Sequence, residues 1–213
     1  DNKGILAAVN IPDPNPVIAG AGGKYAGHVF LFSGGFLLAG FADDTLLGNG
    51  VAYLSLIKDY LPGTVNNEPT DPKNIIYVVK MNDAAFGQSW QDWINAVDLG
   101  ADFYDGNNDG LYIPTDLNGN NIWDSSEDKP AIIGDQMTWC VYNDEVPADQ
   151  RGFNTVTPKG IEIQQTVLAF ASAAPLGNII FIRYRLINTG TVVSKLDSVI
   201  FAIYTDPDLG SAW

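Results

Sequence analysis

Cysteine and histidine are almost missing from this chain: 213 residues hold one of each, Cys140 and His28. An internal disulfide framework is therefore excluded. Zinc is disfavoured too, because its sites draw mostly on those two residue types. Basic residues are also scarce, with 11 Lys and Arg against 25 Asp and Glu and a net charge of −14. Nucleic-acid binding needs a basic footprint that releases phosphate counterions, and this field has the opposite sign. Anionic membrane surfaces are disfavoured for the same reason. Apolar runs such as Ile179–Ile182 fall far short of the roughly 20 residues of a membrane span. G-x-S-x-G, H-E-x-x-H and a phosphate-cradling glycine loop do not occur, so no catalytic motif is found.

What remains is 46% hydrophobic and 11% aromatic, enough to bury a sizeable core and to exclude wholesale disorder. The length fits a single β-rich domain over residues 1–213, or a fragment of a larger protein. The start at Asp1, without an initiator Met or a signal peptide, fits a processed exported protein or a fragment. Cys140 reads as a small apolar residue buried on a strand. A catalytic thiol needs a nearby base, and nothing in the sequence brings His28 to it.

Residues 1–27, rich in Gly, Pro and Asn, read as an extended leader with short strands. His28–Phe32 and Phe36–Phe41, joined by Ser33-Gly34-Gly35, predict a hairpin. Val51–Tyr60 is a further apolar stretch, and Ile75–Met81 is a β-branched strand. Ser89 with Asp92 three residues later predicts a helix N-cap, with Trp93, Ile94 and Val97 on one face and an end near Gly100. Met137–Tyr142, Gly160–Ala171, Asn178–Asn188 and Leu196–Thr205 are β-type runs. In the third, Ile180, Ile182, Tyr184 and Leu186 alternate with Arg183 and Arg185, which predicts one buried face. The fold expected is mainly β, an antiparallel β-sandwich with one short helix and an acidic loop insertion. Asp206–Gly210 reads as a turn close to the end of the sequence.

The acid is unevenly placed. Residues 102–149 hold eleven Asp and Glu against one Lys, Lys129. Within the segment 102–135, Asp105, Asn107 and Asp109 followed by Gly110 fit D-x-[DN]-x-[DN]-G, and Asp116 is the acidic twelfth residue. That is a calcium-loop pattern: oxygens at positions 1, 3 and 5 converge, glycine at 6 allows the turn, and the carbonyl of residue 7, Leu111, adds a ligand. Asp116 starts a second copy, with Asn118, Asn120, the carbonyl of Ile122, Asp124 and Glu127. There Asn121 stands in place of the glycine, and Asn tolerates the left-handed backbone better than most residues. Asp116 is able to serve both copies. One or two Ca²⁺ ions are expected, neutralising the carboxylates and ordering the loop. The alternative is an Asn/Asp/Gly-rich surface loop without an ion.

No spacing selects a glycosidase pair among Asp135, Asp144 and Glu162, since such pairs are defined in space. Trp90, Trp93, Trp123 and Trp139 read either as packing groups or as a sugar-stacking platform.

Several stretches resemble large bacterial cell-surface proteins exported by the type IX secretion system, which carry type A sorting domains. They are Phe32–Phe36, Phe86–Trp93, the loops Asp105–Asp128, Gly134–Asp144 and Gly160–Ala171. Members of this kind are usually longer and end in a C-terminal sorting domain. The loops themselves are similar to those of thrombospondin type 3 and dockerin modules. The resemblance implies an extracellular or cell-surface location. It also implies O-glycosylation at Asp-Ser/Thr-apolar triplets, which Asp44-Thr45-Leu46 and Asp197-Ser198-Val199 match.

The function expected is a calcium-stabilised structural or adhesive protein that contacts itself, other surface proteins or glycans, for instance as a filament or layer subunit. Neither nucleic-acid binding nor membrane insertion is expected. The second reading is a carbohydrate-binding module or glycan hydrolase domain.

Overall fold

A computed structural model describes residues 1–8, 23–25, 28–50, 59–152 and 154–207. In chain order the strands begin with β1 (Ala7–Ala8), β2 (Gly23–Tyr25), β3 (His28–Ala42), β4 (Thr45–Gly50), β5 (Leu61–Pro62) and β6 (Tyr77–Lys80). The helix α1 (Gln88–Asp98) precedes β7 (Phe103–Tyr104), β8 (Lys129–Pro130) and β9 (Gln136–Asn143). Then come β10 (Ile161–Ala169), β11 (Ile180–Asn188) and β12 (Asp197–Pro207). The protein is mainly β, with antiparallel sheets and a single α-helix among the described residues. None of its helices there is long and apolar enough to cross a membrane. The chain divides into two compact units: Asp1–Pro69, Tyr142–Glu162 and Leu186–Trp213 form one, and Thr70–Val141 with Ile163–Arg185 form the other.

In the first unit β3 is the spine. It pairs with β12 on one edge and with β1, β2 and β4 elsewhere. The predicted hairpin of His28–Phe32 with Phe36–Phe41 is therefore one continuous strand of 15 residues. Gly34 is held in the ladder from both sides, opposite Ala7 in β1 and Thr205 in β12, so the glycine pair cannot act as a turn. The turn comes later, at Asp43 and Asp44, whose φ of 47° and 63° suit the two-residue primed turn joining Ala42 to Thr45. Phe36, Leu38, Leu47, Tyr60, Tyr142 and Ile161 are buried. The Tyr60 ring lies 5.5 Å from Phe36 and 5.4 Å from Tyr142, centroid to centroid. Burial pushes the Tyr60 phenol well above its ordinary range.

In the second unit α1 packs over β6 and β9. Tyr77, Val79, Trp93, Ala96, Met137, Trp139, Val141 and Leu168 form its core. Alternation along β6 places Tyr77 and Val79 inside and Val78 and Lys80 outside. The helix begins two residues before the predicted cap: Gly87 is the N-cap, and no side chain caps the amides. The reason is the preceding turn, in which the Gly87 amide donates to the Ala84 carbonyl at 3.0 Å, close enough to exclude a side chain at Gly87. The buried stripe is Trp90, Trp93 and Ala96, while Ile94 of the predicted face is exposed. Gly100, at φ 102°, ends the helix as expected.

Strands β9 to β12 fall where the sequence placed them, and Cys140 is buried on β9, its thiol pushed up to about 11 by burial. The buried face predicted for β11 is not observed: Ile180 is 65% exposed, and Ile182 and Leu186 are exposed as well. β11 is the last strand of its sheet, beside β10. Residues 9–22, 26–27, 51–58 and 208–210 of the predicted leader, apolar stretch and terminal turn lie outside the described residues.

Candidate metal centre

The acidic segment leaves β7 and returns into β8, with Phe103 opposite Pro130 and Tyr104 opposite Lys129. That short ladder ties both ends of the segment, so the chain between them closes into a double loop. In the first loop the Asp105 carboxylate accepts the Gly110 amide at 2.9 Å. Asn107 Oδ1 accepts the Asp109 amide at 3.0 Å, and Asp109 Oδ1 accepts the Leu111 amide at 2.8 Å. The second loop repeats each bond. Asp116 accepts from Asn121 at 2.7 Å, Asn118 from Asn120 at 3.0 Å, and Asn120 from Ile122 at 2.7 Å. Positions 1, 3 and 5 thus take the amides of positions 6, 5 and 7 in both copies.

The backbone repeats as well. Positions 4 and 6 are left-handed in each loop: Asn108 and Gly110 at φ 59° and 79°, Gly119 and Asn121 at 76° and 59°. Gly and Asn have exchanged places between the copies, and both residue types tolerate that region. Asn121 therefore does the work of the missing glycine.

Each loop is closed by one buried carboxylate from the end of the segment. Glu127 accepts the amides of Leu117 and Asp124, positions 2 and 9 of the second loop, at 2.7 and 3.0 Å. Asp128 accepts the amides of Gly106 and Ile113, positions 2 and 9 of the first, at 3.0 and 2.8 Å. Sequence spacing gave that role in the first loop to Asp116, whose two oxygens instead accept Gly119 and Asn121 of the second. Asp128 was missed because it stands in the other copy's sequence; its only signal was a second acid directly after Glu127. Gly106 is required here, since a side chain would run into the Glu127 backbone.

The structure brings Asn107 to Asp109 (Nδ2 to Oδ2, 2.8 Å) and Asn118 to Asp124 (2.7 Å). Leu111 and Ile122 contribute amides to these turns, and their side chains are exposed. Amide bonds, that of Asn121 foremost, hold the Asp116 carboxyl below its ordinary range. The Ser126 hydroxyl is the main cause of the same shift at Asp124. Among the described residues no three His, Cys, Asp or Glu side chains gather into a metal-holding group. Each loop instead alternates carboxylates with asparagine amides, an all-oxygen donor set of the type hard cations take.

Aromatic groups brace the second loop. Trp123 donates Nε1–H to the Glu127 carbonyl at 2.8 Å, and Lys129 Nζ lies 3.6 Å above its ring. The lysine occupies that face of the ring. Trp90, Trp93 and Trp139 are buried, so none of them presents a platform.

No known protein family, curated protein or solved structure matches this chain.

The other carboxylates weighed for catalysis fasten backbone. Asp144 is fully buried and accepts the amides of Lys159 and Ile161, both at 2.8 Å. Glu162 accepts the Val65 amide at 2.7 Å, and burial raises its pKa. Asp135, in the other unit, accepts the Ala171 amide at 2.8 Å. His28 is exposed and Cys140 buried.

Proposed function

We propose that the chain is a calcium-stabilised structural or adhesive component of a bacterial surface, secreted or held outside the cell. The fold is, on this reading, of the antiparallel β-sandwich class, and the loops 105–128 hold one Ca²⁺ each. The observation that carries it is the reciprocity of the loops: the same three turns, the same two left-handed positions and one closing carboxylate apiece. Each loop carries three carboxylates, Asp105, Asp109 and Asp128 in the first and Asp116, Asp124 and Glu127 in the second, each engaged with backbone amides and not gathered at one point. A divalent cation would draw these oxygens together and order the segment around it. Mg²⁺ is the poorer match, because it keeps its waters and seldom enters cages built from protein alone. The role is architectural: the ions fix a segment with little apolar burial of its own.

Calorimetric titration of the calcium-free chain tests this. The expected result is two ions per chain, falling to one in Asp128→Asn with the second loop still loaded. Binding of no ion, or of Mg²⁺ as tightly as Ca²⁺, contradicts it.

A further inference from the structure

Two long strands of this protein are exposed in a way that free edges seldom are. Among the described residues β11 ends one sheet beside β10, and β12 ends the other beside β3. Natural edges are blunted by Pro, Lys, bulges or short length, because an unpaired ladder recruits other chains. Over nine residues β11 contains no Pro, Gly or Lys. β12 has its irregularities at the two ends, next to Asp197 and at Pro207, and runs in unbroken register from Ile200 to Asp206. Both strands also expose apolar side chains: Ile180, Phe181 and Ile182 on β11, and Val199, Ile200 at 64% and Ile203 at 57% on β12.

The charges on these strands select the partner. β11 carries Arg183 and Arg185 and no acid, while β12 carries Asp197 and Asp206 and no base. Asp102 meets both arginines, at 3.1 and 3.7 Å, which leaves the trio at +1 in a chain of −14. Lys195 meets Asp197 at 2.7 Å, which leaves β12 with its flank at −1; a β11–β11 seam therefore gathers positive charge and a β12–β12 seam negative charge. A β11–β12 seam sets opposite charges together, and only the mixed pairing avoids like-charge cost. We propose that β11 of one copy pairs edge to edge with β12 of a second copy, so that copies add head to tail into an open filament. Because the two surfaces differ, the contact is heterologous and leaves a free β11 at one end and a free β12 at the other. Main-chain hydrogen bonds supply the affinity, and the exposed Ile and Phe side chains are covered in the same step. This deepens the scaffold reading above and depends on it for the biological sense of assembly.

The test is sedimentation of the full chain with calcium over a wide concentration range. The average mass is expected to climb past the dimer without a plateau. The double variant R183E/R185E should weaken association by about tenfold or more, and D197K/D206K should do the same. An equimolar mixture of the two variants should assemble again, since each then offers the edge that the other needs. Circular dichroism of each variant guards against misfolding, and Ile200→Lys, at an exposed position, is the second block on the same seam. A closed dimer, assembly indifferent to the charge reversals, or a monomer at every concentration overturns the proposal. A calcium-stabilised monomer sinks the filament and spares the calcium reading. Charge-swapped assembly without any response to calcium does the reverse.

Discussion

The loop segment 105–128 and the core beneath α1 belong to one unit and are held together by opposite means. Around Trp93 and Trp139 the stabilising term is apolar area removed from water, with the ring centroids 6.4 Å apart. In the loops the apolar side chains Leu111, Ile113, Leu117 and Ile122 are exposed, and carboxylates and asparagines gather backbone amides instead. The core is therefore complete within the chain. The loops carry six carboxylates with no basic side chain among them except Lys129 at the exit, and on the proposed reading a cation completes them. The difference teaches where the protein's sensitivity to its surroundings should lie.

Substitutions are expected to separate the two. The largest effect is Trp93→Ala, which removes a fully buried side chain and should cost about 3–5 kcal/mol. Urea unfolding should register that loss equally with calcium and with chelator. Glu127→Gln comes next. It trades one accepting oxygen for an amide nitrogen that faces a backbone N–H, at a cost of about 1–3 kcal/mol. It should also remove the ion of the second loop, so its response to calcium should be halved, whereas that of Trp93→Ala stays whole. Gly110→Ala, forced into a left-handed backbone, should cost about 1–2 kcal/mol. Asn121→Gly at the equivalent place should be neutral to slightly stabilising, and a large loss there breaks the equivalence of the loops.

Acidity gives the smallest and most directional contrast. Asp116 and Asp124 titrate below their ordinary values, so their contribution is present in full above the unfolded value of about 4. It disappears as pH falls through the lowered folded values. Glu162 is raised by burial, so the folded state holds its proton more tightly and this carboxyl gains in stability as pH falls. Unfolding across the acid range without calcium should show D116N/D124N with a flattened acid limb, and Glu162→Gln with a steeper one.

Much of this was legible in the sequence because its signals are local. Strands β9 to β12 follow from alternation and punctuation, and the first loop follows from a six-residue pattern. What was not legible depends on partners distant in the chain. Ser33-Gly34-Gly35 looks like a turn until β1 and β12 are seen to clamp it from both sides. Ser89 looks like a cap until the turn at Ala84–Gly87 claims the helix start. Asp128 has no spacing relation to Asp105, and only the β7–β8 ladder brings it back to the first loop. The arginine-bearing strand β11 has the alternation of a half-buried strand, and its place at the end of a sheet is a property of topology.

Thermal unfolding of the full chain with Ca²⁺, with Mg²⁺ and with excess chelator tests the central claim most directly. At a hundredfold excess over its dissociation constant a single ion adds about 2.7 kcal/mol. In a chain of this size that raises Tm by roughly 5–10 °C. A shift of that order with Ca²⁺, and a clearly smaller one with Mg²⁺, is the expected result. An unfolding curve that is the same in all three conditions contradicts it, and the two loops are then turns that close without an ion.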